Sequence, residues 1–252
     1  MRLDSFLFNK GCFQSRTKAS EAIIKGEVLY NGKTVKPSLE VNSLEGITFV
    51  DGLKFVSNGG YKLHKALLDF NLSVSGLTFA DIGASNGGFT DCLIKNGAKK
   101  IYAIDVGENQ LDNSLLIDDK VVVIDNTNAR YLTSSVIGEF VDGVTVDVSF
   151  ISVTYVLDGI NNVLKSNGFV VLLIKPQFEC GKEYLGNSGI VKNRIARQNA
   201  VKKVYNACYE KGLYAINFTT APIKEKKNVE YLMLLTKDDK KILKINEILS
   251  QI

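Results

Sequence analysis

A doubly wound, mostly parallel α/β sheet preceded by a small α+β unit is the fold class that the sequence predicts. Three observations lead to it. Apolar segments rich in Val and Ile recur between helical patterns from residue 78 onward, the alternation that builds parallel sheets from βα units. A glycine-rich turn, Asp81-Ile82-Gly83-Ala84-Ser85-Asn86-Gly87-Gly88, follows the first of these strands, at the end where such folds bind ligands. The first 36 residues carry seven Lys or Arg against three acids, while the remaining 216 hold 24 of each sign. The positive excess therefore belongs to the N-terminal unit, as in a chain that grips a polyanion.

Composition narrows the class. The 252 residues are 45% hydrophobic and 23% charged, with a net charge of +4, values ordinary for a globular chain. No stretch approaches the roughly 18 uncharged apolar residues of a membrane span, and Met1-Arg2-Leu3-Asp4 lacks the apolar run of a secretory signal. Cys12, Cys92, Cys180 and Cys208 show no C-x-x-C spacing and His64 is the only histidine. The expectation is no metal, no membrane and a reducing cytoplasm.

In the N-terminal unit, Arg2 to Phe8 reads as a short helix ended at Gly11. Ser15 caps a second helix, Arg16 to Lys25, with Ala19, Ala22 and Ile23 inward and Arg16, Lys18 and Lys25 outward. Val28-Leu29-Tyr30, Asn31-Gly32 and Lys33-Thr34-Val35 form a hairpin on a type I′ turn. Gly46 to Gly60 is turn-rich, with a strand-like Ile47 to Val50, and is assigned to a linker. The boundary is drawn between residues 1–57 and 58–252.

The large domain reads as a helix from Tyr61 to Phe70 and strands at Thr78–Ile82, Lys100–Ile104, Val121–Ile124, Val141–Val148 and Phe169–Ile174. Helices fall at Phe89–Lys95, Ser152–Leu164 and Val191–Glu210. Ala215–Thr220 and Glu230–Leu235 close the sheet as its sixth and seventh strands.

The glycine turn departs from the G-x-G-x-x-G of dinucleotide folds, because Ser85 occupies the second glycine position. An acid before the glycines, Asp81, and another ending the next strand, Asp105, suit a cationic nucleoside. Asp105 would grip a ribose diol and Asp81 would lie near a positive sulfonium and amino group, features of S-adenosylmethionine. A βα turn without a ligand is the bland alternative.

A methyl donor leaves the acceptor open. The three prolines, Pro37, Pro176 and Pro222, are never adjacent and none neighbours a cysteine, so exocyclic-amine and pyrimidine C5 chemistries are disfavoured. The strand ends offer Lys175 and Asp147 instead, with Lys62 after the paired glycines and Glu230 before a late strand. Two partly desolvated lysines close together, oriented by two acids, could take up or stabilise the proton of a ribose hydroxyl.

Two resemblances rest on these residues. The segment "RLDSFLFNKGCFQSRTKASEAIIKGEVLYNGKTVKPS" resembles the S-four-type RNA-binding domain, which implies that Arg2, Arg16, Lys18 and Lys25 face RNA phosphates. "SNGGYKL", "DIGASNGGFTDCLIKNGAKKIYAIDVG", "VDVSFIS", "LLIKPQFE" and "NVEYL" resemble the TlyA (hemolysin-A-like) branch of the FtsJ-related ribose methyltransferases. That resemblance implies a Rossmann-like methyltransferase sheet of seven strands and S-adenosylmethionine-dependent 2′-O-methylation of ribosomal RNA, at cytidine, in ribosomal subunits. Its catalytic set maps onto Lys62, Asp147, Lys175 and Glu230. Its cofactor positions map onto Asp81, Gly83, Ala84, Gly87, Asp105 and Asn128, with Ser85 in the same loop. Asn58 stands where the family usually has Arg, Glu108 to Leu116 lacks a basic aromatic helix start, and Lys226-Lys227-Asn228 replaces a glycine-containing approach to Glu230. The alternatives are an RNA-binding assembly factor without turnover and, less favoured, a membrane-lytic protein. Oligomeric state is not legible.

Overall fold

The computed structural model describes residues 1–252 except 11, 14, 25, 50–54, 187 and 223–226. The chain divides into two compact units, Met1–Lys54 and Phe55–Ile252. The division falls three residues before the boundary drawn from composition. Phe55 packs edge-on against Tyr61 at 5.1 Å and so belongs to the second unit.

In the first unit, α1 (Leu3–Asn9) and α2 (Arg16–Ile24) lie on a three-stranded antiparallel sheet of β1 (Val28–Tyr30), β2 (Lys33–Thr34) and β3 (Ile47–Phe49), ordered β2-β1-β3. Leu3, Leu7, Ala19, Ile23 and Val28 are fully buried between the layers. Ser15 Oγ accepts the Lys18 N–H at 3.2 Å and caps α2. Tyr30 pairs with Lys33 across a two-residue turn in which Asn31 and Gly32 take φ of +51° and +73°, the type I′ geometry. One assignment is corrected: Ile47–Phe49 pairs with β1, so this part of the turn-rich segment is sheet, not linker. The expected helix end at Gly11, the outward Lys25 and the Asp51-Gly52 turn lie outside the described residues.

Asp4 is the unusual group here, a carboxylate only 2% exposed. Arg2 donates to both its oxygens, at 3.1 and 2.9 Å, Arg16 Nε approaches at 3.3 Å and the Ser5 N–H donates at 2.7 Å. Two of the cations expected to face RNA are thus held side by side by one buried anion, while Lys18 pairs loosely with Glu21 at 3.7 Å.

The second unit is a seven-stranded sheet. Its strands are β4 (Thr78–Ile82), β5 (Lys100–Ile104), β6 (Val121–Ile124), β7 (Val141–Val146), β8 (Leu164–Ile174), β9 (Tyr214–Thr220) and β10 (Tyr231–Thr236), in the order β6-β5-β4-β7-β8-β10-β9. Strands β4 to β8 pair in parallel and β10 runs antiparallel to both neighbours. Alternation along β8 sends Val170, Leu172 and Ile174 into one layer and Val171 and Leu173 into the other, as a strand covered on both faces requires. The helices are α3 (Asn58–Asp69), α4 (Gly88–Lys95), α5 (Asn113–Leu116), α6 (Ser134–Ile137), α7 (Leu157–Val163), α8 (Pro176–Glu179), α9 (Arg194–Glu210) and α10 (Ile245–Leu249). α3 starts three residues before the expected position because Ser57 Oγ accepts the Gly59 N–H. The helix expected from residue 152 opens with a tight 3-10 turn, Val153–Val156, before α7.

α3 and α4 meet at their first turns through nearly bare backbone. A Cβ on Gly88 would stand 2.9 Å from the Gly60 nitrogen and 3.0 Å from the Gly59 Cα. That contact fixes the start of α3, and Lys62 lies on its next turn.

The first unit yields a prediction. The Arg2 guanidinium, opposed by burial, holds the Asp4 carboxyl well below the usual range. A depressed pKa contributes stability that is present above the unfolded value near 4 and lost as pH falls below it. Asp4→Ala should destabilise residues 1–54 by about 2 kcal/mol at pH 7, measured as faster amide exchange in that unit alone. The deficit should shrink on acidification below pH ~4.

Candidate active site

The order β5-β4-β7 marks where chain direction across the sheet reverses, the place where open α/β sheets form a ligand crevice. Gly83, the first residue after β4, lies against the end of β7. Its φ is +79°, and a Cβ there would stand 2.8 Å from the Asp147 carbonyl oxygen. The Asp147 N–H donates to the Ile82 carbonyl at 2.9 Å, tying the two strand ends together.

A cavity of about 310 Å³ opens at this point, walled by Gly83, Ser85, Asp105, Asn128, Asp147 and Phe150 among others. This is the small end of the usual ligand-pocket range. Asp105 is the group best placed to bind a diol. Its oxygens accept the Ser85 N–H at 2.9 Å and the Gly107 N–H at 2.8 Å. A carboxylate has about four acceptor sites, so each oxygen keeps acceptor capacity for a further donor. Ser85 adopts φ of +47° to deliver its N–H, which gives a non-glycine residue a use at that position. Asn128 Oδ1 caps the turn after it through the Arg130 N–H at 3.1 Å.

Three expected cofactor residues sit elsewhere. Asp81 is fully buried, and its oxygens accept Thr90 Oγ1 at 2.7 Å and Thr145 Oγ1 at 2.8 Å. It braces the strand beneath the loop and does not line the cavity, because alternation turns residue 81 toward α4. Burial pushes its carboxyl up to about 6. Ala84 packs with Leu111 and Leu115, and a Cβ on Gly87 would strike those same side chains. Both shape the loop from behind.

The four charged residues expected to act together do converge. Leu172 pairs with Val146 and Ile174 with Tyr231, so Asp147, Lys175 and Glu230 each occupy the position just beyond adjoining strands. Lys175 Nζ lies 2.5 Å from Asp147 Oδ1 and donates to Ser149 Oγ at 2.6 Å. Lys62 Nζ lies 2.6 Å from Glu230 Oε2. Gln177 Nε2 donates to the other Glu230 oxygen at 3.3 Å. The expected lysine–lysine pairing gives way to a carboxylate set against each ammonium, since two desolvated cations need counter-charges. Burial pushes the Asp147 carboxyl up, and the ammoniums of Lys175 and then Lys62 pull against it. Lys62 and Glu230 also line a smaller cavity of about 180 Å³ with Asn58, Tyr61, Lys227 and Asn228. The charges therefore face two recesses, Asp147 the larger and the Lys62–Glu230 pair the smaller.

Sequence reasoning missed Ser149, Gln177, Glu179 and the threonine pair on Asp81. Gln177 and Glu179 stand within the quoted "LLIKPQFE" run, so their nearness to Lys175 was the available signal. Thr90 stands within the quoted glycine-loop run, whereas Thr145 carried no signal, because it meets Asp81 only through the fold. Among the described residues no cluster of three His, Cys, Asp or Glu is placed to hold a metal ion, and no helix is long and apolar enough to cross a membrane.

Residues 55–237 match the FtsJ-like methyltransferase family and residues 1–44 match the S4 domain. The chain is 40% identical over 235 residues to Hemolysin A of Brachyspira hyodysenteriae, covering 92% of this chain and 98% of that one. It is 39% identical over 238 residues to the 16S/23S rRNA (cytidine-2′-O)-methyltransferase TlyA of Mycobacterium tuberculosis, covering 93% and 89%. A solved Streptococcus thermophilus structure described as a hemolysin superposes with a TM-score of 0.74 at 36% identity, covering 100% of this chain and 94% of that one.

Asp81 gives the site a pH signature. Its carboxyl rises from the ordinary 3.8 to about 6 in the fold. The contribution is full below the unfolded value and is lost as pH climbs through the folded one. Asp81→Asn, which cannot ionise, should gain on the native chain by roughly 3 kcal/mol between pH 4 and 7. Urea unfolding across that range reads the difference, and parallel curves would refute the buried acid.

Proposed function

The chain belongs to the FtsJ-like methyltransferase family, and on that premise we propose that it transfers the methyl group of S-adenosylmethionine to a ribose 2′-hydroxyl of ribosomal RNA. Cytidine is the proposed nucleoside, as in the activity for which the Mycobacterium tuberculosis and Campylobacter jejuni relatives are named. The observation that carries this reading is the Lys175–Asp147 contact of 2.5 Å, whose carboxylate lines the Asp105 cavity, with the Lys62–Glu230 contact of 2.6 Å at the smaller recess.

S-adenosylmethionine supplies a methyl group on a positively charged sulfur, ready for transfer to an oxygen nucleophile. The residues present fit such a donor. Asp105 retains acceptor capacity for a ribose diol, Gly83 keeps the loop open beside Asp147, and the Asp147 carboxylate offsets positive charge nearby. Asn128, on the wall of the same cavity, would add a contact to the nucleoside.

The acceptor hydroxyl is weakly acidic, so its proton must have somewhere to go as the oxygen–carbon bond forms and the sulfur–carbon bond breaks. Lys175 donates to the acceptor oxygen, and the Asp147–Lys175 pair takes the hydroxyl proton. Burial pushes the Asp147 carboxyl up, which makes it a readier proton acceptor than an ordinary carboxylate. Lys62, anchored on Glu230, steadies the negative charge that grows on the oxygen. The smaller recess beside Lys62 admits the acceptor nucleotide.

Arg2, Arg16 and Lys18 engage RNA phosphates from the first unit. The protein acts where ribosomal subunits are, in the cytoplasm.

Two experiments test this. Labelled-methyl transfer to ribosomal subunits should fall by about 100-fold or more in Lys175→Ala, with RNA binding nearly unchanged; equal rates would refute its role. Lys18→Glu combined with Arg16→Gln, chosen so that no second acid meets Asp4, should weaken RNA binding by about tenfold. It should also lower the salt dependence, because fewer counterions are released. S-adenosylmethionine binding should survive, and unchanged RNA affinity would make the basic face a solvated one.

A further inference from the structure

Asp147 and Lys175 belong to two short segments that need a common anchor. The first, residues 147–152, leaves β7 held at its start by the Asp147 N–H to Ile82. In its middle Phe150 takes φ of +66°, a strained conformation for a bulky side chain that persists only when its surroundings impose it. The Phe150 ring is 88% exposed and touches Phe178 at 5.3 Å between ring centres, too little to hold the backbone there.

The second segment is α8, which begins directly after Lys175 and ends at Glu179. The Glu179 side chain is 2% exposed and collects donors from two other parts of the chain. Oε2 accepts Ser152 Oγ at 2.6 Å and Lys203 Nζ at 3.1 Å, and Oε1 accepts the Val153 N–H at 2.7 Å. Lys203 also donates to the Glu179 carbonyl at 3.2 Å. Burying a carboxylate costs several kcal/mol unless it is fully hydrogen-bonded, and apolar packing could cover this spot at lower cost. What a carboxylate adds is direction, since its oxygens fix the angles at which the three segments arrive.

We propose that Glu179 is a positioning residue for methyl transfer, clamping the end of the 147–152 segment to α8 so that Asp147 and Ser149 stay on the Lys175 ammonium. The inference rests on the catalytic reading of Lys175 and Asp147. Glu179 touches no reactant; it acts through the 147–152 segment and α8. Without it, the strained backbone at Phe150 relaxes and the Asp147–Lys175 contact loosens.

The test measures kcat and KM with labelled S-adenosylmethionine and ribosomal subunits, well below each variant's Tm. Glu179→Ala should lower kcat by about 30- to 100-fold, the size expected for an ångström of misplacement, while both KM values stay within about twofold. Glu179→Gln, which keeps a polar partner for Ser152 and for the Val153 N–H, should recover to within about fivefold of native. A folded Glu179→Ala enzyme with native kcat and only a lowered Tm would overturn the proposal, as would a loss confined to KM. Should that variant not fold, Ser152→Ala removes one strand of the clamp. It should cost about fivefold in kcat, and native kcat there would overturn the proposal equally. Lys175→Ala run alongside separates the two readings. If it turns over at the native rate, the catalytic assignment falls; if it is inactive while Glu179→Ala matches native, only the clamp falls.

Discussion

Charge taken out of water must be taken out in pairs, and the strand ends of this protein are arranged around that constraint. Lys175 and Asp147 lie 10% and 18% exposed, Lys62 and Glu230 22% and 15%. No single residue of the four could sit so dry without its partner. The partners come from different strands and a helix, so the constraint becomes one on register. Leu172 beside Val146 and Ile174 opposite Tyr231 put three of the four just past the last paired residues. Slipping β10 by one residue would turn its buried face to the other layer and carry Glu230 away from Lys62.

Carboxylates at four depths show how environment divides the labour of one functional group. Asp105 keeps acceptor capacity at the cavity wall. Asp147 is nearly dry but faces ammoniums. Asp81 is sealed off with two threonine hydroxyls and has become partly a structural acid. Asp4, in the other unit, is buried under guanidinium and stays firmly ionised. What separates them is which donors the fold aims at each, and burial sets how much that choice matters.

The parts legible in the sequence were those carried by strand periodicity and by position relative to a strand end. Lys175 after five apolar residues and Asp147 after a Val-rich run could be placed because a buried parallel strand ends in a predictable direction. Asp81 carries the same kind of signal, yet its nearness to the glycines points to the cofactor while strand alternation turns it inward onto two threonines. Ile47–Phe49 reads as strand-like, but its place in the first unit's sheet is not legible, because only pairing with Val28–Tyr30 takes it out of the turn-rich linker. Glu179 and Lys203 meet across 24 residues of sequence, a distance at which no local pattern speaks.

The meeting of α3 and α4 over Gly59, Gly60 and Gly88 has its own bearing on spacing. Side chains between two helices can adjust through rotamers, whereas shifts of whole helices run on the microsecond-to-millisecond scale. Peptide backbone resting on peptide backbone has no such repertoire. The spacing between the lysine-bearing helix and the helix that begins at the glycine loop is therefore fixed by what glycine lacks, and even one methyl group at residue 88 would have to push the two apart.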